Sequence, residues 1–162
     1  MESDDQAEAG GLVVGVISDT HGLLRPEALD ALAGSDLILH AGDIGDPEIL
    51  TRLEAVAPVV AIRGNVDRGE LARYLPDTQV VEVEGSLIYI IHDVETLDLS
   101  PEAAGISMVI FGHSHLPEIR ESRGVRYFNP GSAGPQRFTN PITVGRLRIS
   151  EGKLVPEVIY LT

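Results

Sequence analysis

Five short stretches of this sequence carry side chains able to share a ligand. They are Asp19-Thr20-His21, Gly42-Asp43, Gly64-Asn65, His92-Asp93 and Gly112-His113-Ser114-His115. Within Asp19/His21 and His113/His115, the i, i+2 spacing turns both side chains to one side of an extended backbone. Glycine directly before Asp43, Asn65 and His113 lets the chain turn sharply and approach a bound group closely. Carboxylates, imidazoles and an amide, with no sulfur among them, suit Mn²⁺, Fe, Co²⁺, Ni²⁺ or Zn²⁺. The set is too rich in nitrogen for calcium or a dedicated magnesium site. Taken singly, Gly-Asp and Gly-Asn are ordinary turn dipeptides. Together they are harder to dismiss, because four of the five histidines fall in these clusters. The fifth, His40, lies inside an apolar run and reads as a core or supporting residue.

The elements that must position these groups follow from the pattern of apolar residues. Residues 12–19 (LVVGVISD) form an apolar, β-branched run with a polar end, as a buried parallel strand does. Residues 26–33 open on Pro26 and place Ala28, Leu29 and Leu32 at helical spacing, with Gly34 closing the segment. The unit then repeats as a strand over 36–43, a helix over 47–55 and a strand over 59–65. That order predicts a right-handed parallel βαβαβ start. Beyond Pro76 the pattern changes. Residues 78–85 alternate, 86–93 are apolar, and Glu84-Gly85-Ser86 reads as the hairpin turn between them. Residues 108–115 form another apolar run, with Met108 and Phe111 as core. From about residue 119 onward, short alternating strands such as GVRYF, TVGRLRI and LVPEVIY predominate, with no helix. The expected architecture is one α/β domain over 12–162, its second half largely antiparallel, with two packed sheets and helices outside. All five clusters then fall at carboxyl ends of strands, where open α/β sheets bind ligands.

Composition narrows the function classes. With 162 residues and 43% hydrophobic side chains, the chain can bury one core of ordinary size. The absence of cysteine excludes disulfides, iron–sulfur clusters, thiolate nucleophiles and cysteine zinc sites. The formal charge of −13, from 12 basic and 25 acidic residues, argues against non-specific nucleic-acid binding. No apolar run is long enough to cross a bilayer. Residues 1–11 carry four acids and no base, so they read as a disordered acidic tail rather than a leader, and the chain as cytoplasmic. No Walker loop or G-x-G-x-x-G occurs, and G-H-S-H-L around Ser114 lacks the second glycine of a nucleophile elbow. The metallo-β-lactamase pattern fails at Pro117 and Glu118.

The ordered set Asp-x-His, Gly-Asp, Gly-Asn, His and Gly-His-x-His resembles the calcineurin-like metallophosphoesterase superfamily. The SDTHG, HAGD and NPGS segments look most like its small YfcE-type phosphodiesterase branch. The resemblance spans residues 12–150 or so. It implies a four-layer α/β/β/α sandwich of two mixed sheets, the metallo-dependent phosphatase fold, holding two divalent ions per chain. Manganese is the foremost choice, with nickel, cobalt, iron or zinc as alternatives. By that resemblance Asp19, His21, Asp43 and His115 would hold the first ion, and Asp43, Asn65, His92 and His113 the second, with Asp43 bridging. It further implies hydrolysis of a small phosphorylated substrate, a phosphodiester or activated phosphomonoester, by direct attack of metal-bound hydroxide. A non-catalytic protein-binding scaffold on the same fold, like the retromer subunit, is the alternative, but every expected ligand position here keeps a competent side chain. A homo-oligomer is compatible with either reading.

Two departures from the family pattern bear on chemistry. Larger members carry a histidine directly after Gly-Asn, thought to protonate the leaving group, a service commonly worth about 10² to 10⁴-fold. Here that position is Val66, followed by Asp67, which joins Asp43, Asn65 and His92 as a candidate catalytic residue. The second departure is Asp93 after His92, where many relatives have the small residue of His-Gly-His or His-Gly-Asp; Asp93 could narrow the site or bind a ligand. Arg25 and Arg63 lie close enough in sequence to reach a phosphate, although a solvated or paired arginine is the commoner outcome. Asn129 and Ser132 are expected to shape a turn beside the site.

Overall fold

The computed structural model describes residues 11–161, so the expected tail over 1–11 lies outside the described residues except for Gly11. Ten strands make two five-stranded sheets. In the first, β1 (Leu12–Ile17), β2 (Leu37–His40) and β3 (Val59–Ala61) run parallel, and β9 (Thr143–Ser150) and β10 (Lys153–Tyr160) add antiparallel beside β1. The second sheet contains β4 (Thr78–Val83), β5 (Ser86–Ile91), β6 (Ile106–Ile110), β7 (Glu118–Ser122) and β8 (Val125–Asn129), in the order β4-β5-β6-β8-β7. The expected βαβαβ start is present. The chain is an α/β sandwich of two mixed sheets.

The core follows from strand alternation. Val14, Val16, Leu39, Ile88, Ile90, Met108, Ile110 and Phe128 are fully buried in one cluster. Their neighbours on β1 and β2, Ile17 and Ile38, belong instead to a cluster with Leu32, Ile49 and Leu53 of the helices. The helices α1 (Pro26–Leu32), α2 (Pro47–Glu54) and α3 (Glu70–Tyr74) therefore cover the outer face of the first sheet. Proline occupies the first turn of α1 and α2, and the Asp46 side chain caps α2 by accepting from the Glu48 N–H at 3.0 Å. The outer face of the second sheet buries Tyr89, Ile91, Val109 and Phe111 with Val94 and Leu97, from a 3-10 turn at Val94–Thr96 and the residue after it. That fourth layer is thin.

Three differences from the sequence reading have physical causes. First, α3 was not expected; at five residues it is too short to show a helical period. Second, the strands leading to the site stop early: β1 at Ile17, β3 at Ala61 and β6 at Ile110. The polar residues beyond them leave the ladder to face a common point. Third, most pairings of the second half are antiparallel as expected, but the centre of the second sheet is not, since β5, β6 and β8 run parallel and β4 and β7 flank them antiparallel. The runs in β5 and β6 are buried on both faces, the mark of parallel strands, and the connections into β6 and β8 are long enough for crossovers.

The hairpin at Glu84-Gly85 forms as expected, with both residues at positive φ (53° and 81°), which suits the right-handed twist of the flanking strands. Among the described residues no helix is long and apolar enough to cross a membrane. Phe128 packs at the centre of the inter-sheet core beside Gly145, where an added Cβ would come within 2.6 Å of its ring. Phe128→Ala should therefore lower unfolding stability by about 3–5 kcal/mol in urea titration, whereas a loss under about 1 kcal/mol would contradict this account of the core.

Candidate metal centre

The loops that follow β1 and β2 are joined by backbone hydrogen bonds beyond the sheet ladder. The Asp19 N–H donates to the Gly42 carbonyl at 3.0 Å, His21 to Asp43 at 3.0 Å and Gly22 to Ile44 at 2.8 Å. Within this lattice Asp19, His21 and Asp43 hold left-handed backbone (φ 57°, 47° and 58°), as do His113 and His115 after β6 (φ 75° and 66°). Such a conformation costs a non-glycine residue on the order of 1–2 kcal/mol. Five of the sequence-predicted site residues share it, so the surrounding structure bears that cost where the side chains must converge.

Asp19 is at the focus. Its Oδ2 accepts from the Ser18 hydroxyl at 2.6 Å and the His113 N–H at 3.1 Å. Its Oδ1 is buried, has no hydrogen-bond partner and faces three imidazoles: Nε2 of His115 at 3.3 Å, His21 at 3.7 Å and His92 at 3.8 Å. Asp43 stands alongside. Its Oδ1 accepts from the Val66 N–H at 3.0 Å, and its Oδ2 lies 3.1 Å from His92 Nε2 and 3.6 Å from His21 Nε2. His92 donates from Nδ1 to the Ala41 carbonyl at 2.8 Å, which fixes the ring and aims Nε2 at the carboxylates. Two convergent groups result, Asp19/His21/His115 and Asp19/Asp43/His92, with all ligating atoms of each within 4.8 Å of one another.

Asn65 adds an amide oxygen 3.2 Å from His92 Nε2 and from both Asp43 oxygens; only turning the amide over would make these contacts hydrogen bonds. A buried carboxylate oxygen without a donor and an unpartnered buried His21 Nε2 are together what a shared cation would satisfy. The donors are hard oxygens and imidazole nitrogens, the set that first-row divalent ions accept. The residues present thus fit a metal centre.

The protonation states agree. Burial opposes ionisation of Asp19, but His115, His21, the charge of His92 and the Ser18 hydroxyl outweigh it and hold the carboxyl well below the usual range. Asp43 is likewise lowered against its burial, by His92 and the Val66 N–H. Burial pulls the His92 pKa down, yet Asp43, Asp19 and the Ala41 carbonyl raise it on balance. Both carboxylates are charged and ready for a cation.

The other candidates take varied places. His113 reaches the rim but neither convergent group; its half-exposed ring lies 5.3 Å from that of His92, with Nε2 3.8 Å from Asp93 Oδ2. Asp93 also caps the 3-10 turn through the Glu95 N–H at 3.0 Å. Asp67, expected among the catalytic residues, is bound by the backbone around it. Its buried oxygens accept from the backbone N–H groups of Ile44 (2.9 Å), Gly45 (3.0 Å) and Gly64 (2.8 Å), so it is a positioning residue that ties the Asp43 loop to the Asn65 loop. Arg25 donates to the Gly134 carbonyl at 3.1 Å, and Arg63 to the carbonyls of Ala72 and Leu75 at the end of α3. Asn129 and Ser132 do brace the site: Asn129 donates to the Gly112 carbonyl at 3.1 Å, and Ser132 to the Asp19 carbonyl at 3.1 Å.

Sequence reasoning missed Ser18 and Thr20, which no spacing rule singles out. His40 acts through Thr20: its Nδ1 accepts from the Gly42 N–H at 3.1 Å, leaving Nε2–H to meet Thr20 Oγ1 at 3.0 Å, and Thr20 donates onward to the Ile44 carbonyl at 2.9 Å. Complete burial lowers the His40 pKa to about 4, against the pull of nearby carboxylates.

Two outcomes follow from this packing. A Cβ on Gly64 would fall on Asp43 Oδ1 and on the Asp43 backbone N. Gly64→Ala should cut divalent-metal affinity in calorimetry by tenfold or more while thermal unfolding stays cooperative; unchanged affinity would refute the close approach. His40 is neutral when folded, whereas the unfolded chain protonates below about 6.5. Its contribution is therefore present above pH 6.5 and lost as the pH falls toward 4, by up to about 3 kcal/mol. Metal-free His40→Gln should lose correspondingly less stability than wild type between pH 7 and 4, as read from urea midpoints; identical profiles would contradict this.

The calcineurin-like phosphoesterase superfamily domain matches residues 12–152. The chain is 40% identical over 160 residues to a probable metallophosphoesterase of Methanothermobacter thermautotrophicus, covering 91% of this chain and 92% of the relative. It is 30% identical over 158 residues to phosphodiesterase YfcE of Escherichia coli K12, covering 80% of this chain and 84% of that one. In fold it matches the zinc complex of Vps29 from Entamoeba histolytica, with a TM-score of 0.69 at 23% identity, over 93% of this chain and all of the other. With its convergent carboxylates and imidazoles at the strand ends, and a family match over nearly the whole described chain, the protein belongs to the calcineurin-like phosphoesterase superfamily.

Proposed function

We propose that the protein is a dinuclear metal-dependent phosphoesterase that hydrolyses phosphodiesters, or activated phosphomonoesters, by direct attack of water on phosphorus. The observation that carries this reading is the buried Asp19 Oδ1, without a donor and surrounded by three imidazole nitrogens, next to a second buried carboxylate. Asp19, His21, Asp43 and His115 would hold one ion, and Asp43, Asn65, His92 and His113 the other, with Asp43 shared. Manganese is the ion we favour, and nickel, cobalt, iron and zinc suit the same donors. Such ions supply Lewis-acid charge that acidifies a water and offsets charge on the phosphoryl oxygens.

The chain's own residues supply position. Asp67 and His40 fix the loops that carry Asp43, Asn65 and His21, and Ser18 and the His113 N–H hold Asp19 in one orientation. The Ala41 carbonyl keeps the His92 proton on Nδ1 and so leaves Nε2 to the centre. No side-chain nucleophile is needed. Val66 is 42% exposed beside Asn65 and carries no proton, so the departing oxygen leaves without help from this position. Substrates with good leaving groups should therefore react best.

A protein-binding scaffold, suggested by the likeness to Vps29, rests on fold alone and has no observation in its favour here. The testing experiment is hydrolysis of bis-p-nitrophenyl phosphate after removal of metal with EDTA and return of Mn²⁺, Ni²⁺, Co²⁺, Zn²⁺ or Mg²⁺. Turnover restored by metal, and lost by at least a hundredfold in a folded Asp43→Asn variant, is the expected result. Near-wild-type turnover in metal-saturated Asp43→Asn would overturn the dinuclear reading, and no turnover with any ion would overturn the phosphoesterase reading.

A further inference from the structure

A cavity of about 600 Å³ opens beside the candidate metal centre and shares Asn65, His92 and His113 with it. Its remaining polar lining is dominated by three carboxylates from separate segments. Asp77 comes from the connection between α3 and β4, Asp93 from the loop that follows β5, and Asp98 from the chain after the 3-10 turn. Among the described residues, none of the three pairs with a lysine or arginine, and the one ion-pair contact among them is that of Asp93 with His113. Arg63 is the one lysine or arginine in the lining, and its guanidinium is engaged by the carbonyls of Ala72 and Leu75. Tyr89 and Ile91 give the cavity an apolar wall, and the Thr78 and Thr96 hydroxyls add neutral hydrogen-bonding groups.

A phosphodiester seated at the metal centre has two organic halves, and one of them would occupy this cleft. We propose that the cleft selects that half by its charge and its hydrogen-bond donors. It takes an alcohol moiety bearing hydroxyl or ammonium groups and rejects one that carries an additional anionic group. The inference rests on the phosphoesterase reading and deepens it to a substrate class. Its physical basis is that carboxylates accept hydrogen bonds from hydroxyl groups, and that their negative charge attracts an ammonium whether or not it carries an N–H. An anion among them would meet like charge on several sides. An ammonium would also find the Tyr89 wall, which attracts cations through its ring.

Three p-nitrophenyl diesters with one leaving group but different second alcohols test this: the phosphocholine, the phosphoglycerol and the phosphoglycolate. The metal-loaded enzyme should show kcat/KM at least tenfold higher for the choline or glycerol diester than for the anionic glycolate diester. In the Asp77→Asn/Asp98→Asn double variant that ratio should fall toward unity, while thermal unfolding stays cooperative. A choline diester faster than the glycerol diester identifies the ammonium as the recognised group, and the reverse identifies the hydroxyls.

A ratio near unity in wild type, or one that survives the double substitution, overturns the proposal while leaving the phosphoesterase intact. Failure of bis-p-nitrophenyl phosphate with every metal instead marks failure of the phosphoesterase reading. The cleft is then read without turnover, by titrating choline chloride and glycerol separately into the metal-free protein and following backbone amide shifts. Saturable shifts at Thr78 and Thr96 that vanish in the double variant support the cleft, and their absence overturns it.

Discussion

Two charged carboxylates, Asp19 and Asp43, are buried side by side at the ends of adjacent parallel strands, and the rest of the structure is arranged around that constraint. Like charges taken out of water at such close range are costly unless positive charge meets them. The imidazoles of His21, His92 and His115 stand where it would enter, drawn from three different strand ends. The parallel order β1-β2-β3 brings the first carboxyl ends to one edge, and the parallel β5 and β6 bring the histidines of the second sheet to meet them. Reversing any of these strands would send its polar end to the far side of the sandwich.

The backbone serves the same end. Three left-handed residues, Asp19, His21 and Asp43, each unfavourable alone, are held by a lattice of main-chain bonds between the β1 and β2 loops and by two buried braces. Asp67 binds three N–H groups of the Asp43 and Asn65 loops, and His40 links Gly42 to Thr20. A site built this way is stiff before any ligand arrives, which is what ordered ligation of an ion demands. The acidic character of the chain fits as well, since a net charge of −13 leaves a cation, rather than a lysine or arginine, to attract a phosphate.

Much of this was legible in the sequence, for reasons visible in particular residues. Asp19, His21, Asp43, Asn65 and His115 could be picked out because glycines and i, i+2 pairs recur after apolar runs, and His92 because it ends such a run; local signals of that kind survive folding. The packing order of β5, β6 and β8 was not, because a short run buried on both faces does not say which way its neighbour runs. The role of Asp67 was hidden for a different reason. Two of its three partners are backbone N–H groups of residues more than twenty positions away, and no side-chain type marks a loop as the one a carboxylate will bind. His113 shows the limit of spacing arguments: it keeps the pattern of His115 two residues on, yet its ring stands at the exposed rim while that of His115 is buried against Asp19.

The central claim is that the buried carboxylates exist to bind cations, and it is tested most directly by calorimetric titration of Mn²⁺ into the metal-stripped protein, with thermal unfolding followed in parallel. The account predicts saturation at two ions per chain, a clear rise in unfolding temperature, and loss of both when Asp19 and Asp43 are replaced by asparagine. Absence of binding, or binding undiminished in that double variant, would contradict it.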